Sequence, residues 1–409
     1  MIDTNKIGKY VTNNETLSVS ILIINFFAWY FPLHMFLIRI LNELQVGYTD
    51  LLTIFGTYYL TITLFALVGT SMAQKSARIH TLLLVWILLG IFSSVSMLLL
   101  ISGSMLIIYL VFIFIGVALG FGFPCCLAFF ADSTVLESRG KVGGIIFFLA
   151  FLGVFLIGFL TMTLNFTESI VLFALWRATS LLFKLLRRKK KTEKEKVPVG
   201  YRAIFSEKSF ILYFIPWITF CLVNFFVGPL QQYHWGIMTS SWVSTIEFGV
   251  AGLAALIGGY FSDIVGRKRI IILGYILLGL GYALLSILPE NPISISVYAF
   301  IDGIAWGLFA LMFFGVIWGD LAGNRAKEKY YLVGPMPFVI SSYLWILIDP
   351  FAEIISISMS FSLASFFLFL AVIPLMYAPE TLPEKVIRRR ELKKYIEEAK
   401  RIREKYEER

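Results

Sequence analysis

Three ionisable residues lie inside long apolar stretches of this chain, where a charge is costly and therefore indicates function. They are Asp302, Arg177 and Glu247. A buried carboxyl group without a partner binds a proton readily, which is the property that a proton-coupled carrier needs. The three residues are candidates for proton coupling or substrate binding. The alternative is that Asp302 or Glu247 pairs with a cation such as Arg177 for structural reasons.

Uncharged polar and aromatic residues in the same stretches are candidates for substrate binding. Asn25 and Trp29 share one face of a helix, and Asn224 and Gln231 are close to in phase on another. Trp306 joins this group. Each of these residues can also serve helix packing, so their role in binding is a hypothesis.

Clusters that would indicate catalysis or metal binding are absent from the sequence. The three histidines are far apart, and the three cysteines lie in apolar stretches without a ligand spacing. No glycine-rich ATP-binding loop is present. We therefore expect no cofactor, no metal and no enzymatic activity.

The elements that carry these residues are predicted to be membrane helices. Of the 409 residues 58% are hydrophobic and only 15% are charged, and apolar stretches recur at the length that crosses roughly 30 Å of hydrocarbon. The stretches are continuous, which excludes a β-barrel. The sequence predicts an all-α membrane protein with twelve spans at about 19–41, 51–69, 81–100, 105–130, 142–164, 169–186, 210–232, 242–261, 270–288, 293–317, 331–348 and 354–377.

The charges of the connecting loops alternate along the chain. One set of loops contains acids but no Lys or Arg, whereas the other set contains Lys141, Arg267, Arg325 and the basic run 187–191. By the positive-inside rule the basic loops and both termini are cytoplasmic. The net charge of +9 is explained by this membrane topology, so we expect a bilayer and no nucleic acid as the partner.

An internal repeat divides the chain into two halves. Residues 114–120 (FIGVALG) resemble residues 301–307 (IDGIAWG) at an offset of 187. This predicts two six-helix bundles related by duplication, at 1–186 and 209–382, with a cytoplasmic linker at 187–208 and a charged helical cytoplasmic tail at 383–409.

The loop after the eighth predicted span carries glycines, an acid and cations at fixed spacing. Gly259, Asp263, Gly266, Arg267 and Lys268 form the pattern G-x-x-x-D-x-x-G-R-K. This pattern resembles the cytoplasmic loop signature of the major facilitator superfamily of secondary transporters. The resemblance implies a fold of two six-helix bundles that work by alternating access.

The same resemblance implies that Asp263 faces the N-terminus of the fifth span, beside Arg139, and holds the cytoplasmic side closed. The equivalent loop in the first half has Ala73 where the acid belongs, so we expect the closed state to depend mainly on the second half. Other loop motifs are partly similar to sugar porters: an acid seven residues before Arg139, and Pro379-Glu380-Thr381 after the last span.

Three functions remain open at this stage. The first is a monomeric carrier of a small polar or anionic solute, driven by proton symport. The second is an exporter of amphipathic compounds that resembles drug–proton antiporters, although the Gly-Pro-x-x-Gly-Gly motif of that group is absent from 142–164. The third is a transporter-like membrane receptor.

Overall fold

The computed structural model describes residues 14–75, 79–186 and 197–382. The predicted helical tail at 383–409 and the part of the predicted linker at 187–196 lie outside these residues. The described chain forms twelve spanning helices in two six-helix bundles, and they are α1 (Asn14–Glu43), α2 (Tyr48–Gln74), α3 (Ile79–Ser102), α4 (Met105–Ser133), α5 (Leu136–Thr163), α6 (Phe166–Lys184), α7 and α8 (the two parts of Lys208–Val265), α9 (Arg267–Ile287), α10 (Pro292–Ala322), α11 (Lys327–Phe351) and α12 (Ile357–Tyr377).

The boundary between α7 and α8 differs from the prediction. We expected a loop at 233–241, but the helix runs through this region and changes direction only at Gly236, whose φ of 76° and ψ of 161° are not helical. Glycine tolerates this positive φ because it has no Cβ. A single residue therefore separates α7 (208–235) from α8 (237–265), and both helices extend beyond the predicted apolar cores.

The two ends of the helices define two faces of the molecule. The linker face carries residues 197–207, the start of α5, Gly266 and the segment 323–326. The far face carries the loops 44–47, 164–165, 288–291 and 352–356. A short helix, Tyr201–Phe205, lies on the linker face ahead of α7.

Several spanning helices depart from a continuous α-helix. In α4 the α-helical pattern is interrupted at Gly122, where a Cβ would collide with the Trp86 ring. In α10 the segment Ala310–Val316 is π-helical, a rare form that is frequent at functional sites. In α11 three short helices, Lys327–Val333, Met336–Ser341 and Tyr343–Ile348, follow one another.

Candidate transport site

A small apolar cavity lies between the two bundles. Its volume is about 10 Å³, which is room for about one water molecule. Helices α1 and α5 of the first bundle and α10 of the second bundle supply the lining residues, which are Phe27, Phe31, Phe147, Ala150, Phe151, Val154, Trp306, Ala310 and Phe314. We call this space the central cavity. All of the described residues that line it are uncharged.

Aromatic contacts close the central cavity on several sides. The ring centroids of Phe27 and Phe314, which belong to opposite bundles, lie 5.4 Å apart. Phe31 and Phe338 make a second contact between the bundles at 6.2 Å. The two halves therefore meet through edge-to-face aromatic pairs, which are favourable without any polar group.

Two carboxyl groups lie together inside the second bundle. The Asp302 side chain is buried, and the Tyr298 hydroxyl donates a hydrogen bond to its Oδ2 at 3.1 Å. The Glu247 carboxyl from α8 lies beside Asp302, and the Tyr282 hydroxyl oxygen lies 3.0 Å from that of Tyr298. Asp302 Oδ1 has no donor among the described residues. We call Asp302 and Glu247 the acid pair.

Arg177 lies in the first bundle, away from the acid pair. Its side chain is fully buried, and Nη1 donates to Asn25 Oδ1 at 3.0 Å. The guanidinium lies 4.3 Å from the centroid of the Trp86 ring and 5.1 Å from that of Trp29. No carboxylate in the described part of the chain pairs with it, and its Nε and Nη2 atoms have no protein acceptor. The structure therefore does not bring Arg177 together with Asp302 or Glu247, because Arg177 packs among Asn25, Trp29 and Trp86.

The other candidates for substrate binding are spread through the two bundles. Asn25 is occupied within the first bundle, where its Nδ2 donates to the Thr179 hydroxyl at 3.0 Å. Asn224 and Gln231 are half-buried, and neither lines the central cavity. Trp306 does line this cavity and packs against Phe220. Of the five uncharged residues that we singled out, the structure places only Trp306 at the junction of the bundles.

Asp263, near the end of α8, lies beside the start of α5 on the linker face. Its Oδ1 and Oδ2 accept hydrogen bonds from the backbone amides of Gly140 at 3.0 Å and Lys141 at 2.8 Å. The first amides of a helix have no partner within the helix and carry a partial positive charge, so a carboxylate is stabilised there. This contact joins the two bundles, because Asp263 ends α8 and the amides begin α5.

Arg267 and Arg139 extend the contact into a buried ion network. Arg267 Nη1 lies 2.8 Å from Asp263 Oδ1, and its Nε donates to Asp320 Oδ2 at 3.2 Å. Arg139 forms a salt bridge with the other oxygen of Asp320. Asp320, at the end of α10, thereby holds one arginine from each bundle. Asp320 was not among the predicted gating residues, although it follows Asp132 by 188 residues, close to the offset of the internal repeat.

Glu380 is a second residue that sequence reasoning did not assign to this site. Its carboxylate accepts hydrogen bonds from the amides of Arg267 at 2.8 Å and Lys268 at 3.2 Å, at the start of α9. Gly266 leaves room for this carboxylate and adopts a φ of 104°. The Pro379-Glu380-Thr381 motif thus ties the end of α12 to the loop between α8 and α9.

The sequence and the fold of this chain can be compared with those of known proteins. The family model of the Major Facilitator Superfamily matches residues 19–230, slightly more than half of the chain. The chain belongs to the major facilitator superfamily. Membership of this family indicates a membrane transporter rather than an enzyme.

Solved structures of superfamily members share the fold at low sequence identity. The proton:xylose symporter XylE, bound to 6-bromo-6-deoxy-D-glucose, aligns with a TM-score of 0.70 and 14% identity over 91% of this chain and 97% of its own. The E. coli fucose:proton symporter FucP aligns with a TM-score of 0.67 and 10% identity over 89% of this chain and 98% of its own. No curated protein matches this chain in sequence.

Proposed function

We propose that this protein is a proton-coupled secondary transporter that moves a small solute through the central cavity by alternating access. The observation that carries the proposal is the position of the cavity, which lies between two bundles of a superfamily that works by rocking such bundles. The protein acts as a monomer in the cell membrane. The linker face is cytoplasmic, because the basic loops lie on it.

The acid pair is the proton site in this proposal. Two carboxyl groups in contact, with no cation against them in the described chain, favour a state in which they share one proton. That proton would also supply the donor that Asp302 Oδ1 lacks.

Helix α10 provides the connection between the proton site and the solute. It carries Asp302, then Trp306 and Phe314 in the cavity wall, and finally Asp320 in the linker-face network. Trp306 follows Asp302 by about 6 Å along the helix axis. The π-helical segment Ala310–Val316 begins in the cavity wall and ends four residues before Asp320, where a change of helical register can transmit movement.

We propose that the solute is amphipathic with a large apolar surface. A sugar or a carboxylate that lost its water in the central cavity would leave polar groups without hydrogen-bond partners, at a cost of about 1–3 kcal/mol for each group. Aromatic side chains instead favour contact with planar or apolar groups. A polar or anionic solute is the second candidate, and the sugar substrates in the names of XylE and FucP support it.

Transport into proteoliposomes with an imposed pH gradient tests the proposal. We expect accumulation or expulsion of a planar aromatic dye, and no transport of sugars or small carboxylates. Trp306→Ala should lower the rate tenfold or more, whereas Phe366→Ala on α12, at a lipid-exposed aromatic position, should leave it unchanged. Asp302→Asn should abolish gradient-driven movement and retain counterflow.

Two results would contradict the proposal. Transport of a sugar or a carboxylate without transport of the dye would show that the solute class is wrong. Gradient-driven movement that survives in Asp302→Asn would show that the acid pair does not couple protons.

A further inference from the structure

A second, larger cavity opens at the far face within the second bundle. Its volume is about 300 Å³, and its lining mixes polar and apolar groups. The kink at Gly236 and the start of α10 frame it, and the lining residues are His234, Trp235, Thr239, Trp242, Val243, Ile246, Glu290, Pro292, Ile295, Ser296 and Ala299. We call this space the far-face cavity. It shares no residue with the lining of the central cavity.

The inner end of the far-face cavity lies one helical turn from the acid pair. Val243 lines the cavity one helical turn before Glu247 on α8, and Ala299 lines it one turn before Asp302 on α10. Residues three or four positions apart share a face of a helix. Glu247 and Asp302 therefore lie one turn further inward on the helix faces that line the cavity.

Hydrogen bonds and ring contacts extend from the cavity wall to Asp302. The Trp235 ring lines the cavity and packs on the Tyr298 ring, with 5.9 Å between their centroids. The Tyr298 hydroxyl donates to Asp302 Oδ2. In the described part of the chain, the hydroxyls of Tyr298 and Tyr282 are the other titratable groups that face the pair, and both tyrosines are more deeply buried than Trp235.

Groups that can exchange protons lie in the outer part of the same cavity. Glu290 is exposed in the loop between α9 and α10. His234 lines the cavity, and its buried Nε2 atom has no hydrogen-bond partner among the described residues. Among the described residues, no Lys or Arg lines the cavity. A cavity of this size with polar groups in its wall holds water, which conducts protons between these groups.

We infer that the far-face cavity is the route by which protons reach the acid pair. The inference rests on the proposed role of that pair. Protons pass from the far face through water beside Glu290 and His234 to Asp302 and Glu247, without passing through the central cavity. The proton site is therefore open to the far face in the same state in which the linker-face network holds the solute cavity closed.

Infrared spectroscopy of the full-length protein in liposomes tests this route. The carbonyl stretch of a protonated carboxyl group shifts in heavy water, and the rate of the shift reports how fast water exchanges the proton. In a background without native cysteines, Ser296→Cys places a thiol in the cavity, and Ser104→Cys places one in a far-face loop of the first bundle. We expect a bulky thiol reagent to slow the exchange at least tenfold in the Ser296→Cys protein and to leave the Ser104→Cys protein unchanged.

The result separates the route from the proton site. Exchange that is equally fast in the labelled and unlabelled Ser296→Cys protein would overturn the route while the acid pair keeps its proton. A protonated-carboxyl band that remains unchanged in both Asp302→Asn and Glu247→Gln would instead remove the acid pair from the mechanism. Thermal unfolding of each labelled protein checks that the label leaves the fold intact.

Discussion

Two of the contacts between the bundles, α8 with α5 and α2 with α11, are built differently. Between α8 and α5 the backbones themselves approach. A Cβ at Gly144 would lie 2.7 Å from the carbonyl oxygen of Ala255, and a Cβ at Gly259 would lie 2.8 Å from the Cα of Gly144. Small residues allow such close approach of membrane helices. Asp263 then fixes the linker-face end of this contact.

Between α2 and α11 the contact is made by side chains. The Thr63 hydroxyl lies 3.5 Å from the Met336 sulfur, and the Tyr343 hydroxyl donates to the Leu52 carbonyl at 3.1 Å. The rings of Tyr59 and Tyr343 lie 6.2 Å apart. Side chains can change rotamer while a backbone contact can only separate as a whole. We therefore propose that α5 and α8 form the pivot and that α2 and α11 separate more readily.

Polar contacts at the linker face stabilise the start of α11. The Glu207 carboxylate accepts hydrogen bonds from both terminal nitrogens of Arg325, at 2.9 and 3.1 Å, and from the Tyr330 hydroxyl at 2.7 Å. Val197 forms a backbone bridge with Arg325. Lys327 adds a salt bridge to Asp132 of the first bundle at 2.8 Å. The segment 197–207 thus stabilises the linker-face end of α11. This helix packs against α2, which has Ala73 at the position equivalent to Asp263.

The same substitution in the two contacts gives the largest expected difference. In Gly259→Ala the new Cβ would collide with the Gly140 carbonyl oxygen, so the backbones must separate, and we expect the free energy of unfolding to fall by about 1–3 kcal/mol. In Gly56→Ala the new Cβ would lie 3.5 Å from the Tyr343 hydroxyl, an ordinary contact. We expect that variant to be neutral or stabilised by up to about 1 kcal/mol, because alanine favours a helix.

Thermal unfolding of the two variants in detergent measures this difference. Equal losses of stability would show that the two contacts do not differ in closeness.

Substitution of the acid itself should change the accessibility of the central cavity. Asp263→Asn removes the charge that accepts from the Gly140 and Lys141 amides, and hydrogen bonds to charged groups contribute about 1.5–3 kcal/mol. The closed state should lose most of this energy, so a cysteine at Ala310 should react about tenfold faster with a reagent added on the linker face. Ala73→Asn, at the equivalent position of the first half, should leave the rate unchanged. Equal acceleration by both variants would remove the asymmetry.

The spanning helices and the loop that carries Asp263 could be predicted from the sequence. Hydrophobic runs must be continuous to cross a bilayer, so twelve helices could be read from the chain. The resemblance of the loop with Gly259, Asp263 and Gly266 to the superfamily signature likewise implied the linker-face contact, and the loss of the acid at Ala73 suggested the asymmetry. The helical structure of residues 233–241 was not predicted, because the polar residues of this stretch are typical of a loop between two spans.

The lining of the central cavity could not be predicted, because its residues are common ones. The chain contains 39 phenylalanines, and nothing in their spacing distinguishes Phe27 or Phe314, which line the cavity, from those that face lipid. The partners of Asp302 and Arg177 could not be predicted either, because they depend on which helix faces pack together within each bundle. Asp320 joins two arginines that are far apart in sequence, which only the packed bundles reveal.

We expect low pH to weaken slightly the contacts of Glu207 that stabilise the start of α11. Burial by itself raises the pKa of Glu207, but hydrogen bonds from Arg325, Tyr330 and Ser209 outweigh it and leave this pKa below the ordinary value. A lowered pKa means that the contact is fully stabilising above the pH at which an unfolded glutamate titrates, and that stabilisation is lost as the pH falls through the folded pKa. Because Glu207 and Arg325 are partly exposed, the expected loss of protection at the Ala326 amide, which donates to Val197, is only about two- to fivefold.

Hydrogen exchange of residues 323–330 between pH 6 and 3, corrected for intrinsic rates, measures this loss of protection. Glu207→Gln is the control, in which the Ala326 amide should already have lost protection at pH 6. If the amides of Gly140 and Lys141 lost protection in step with Ala326, the two sides would respond as one, and the proposed division between a pivot and a more mobile side would fail.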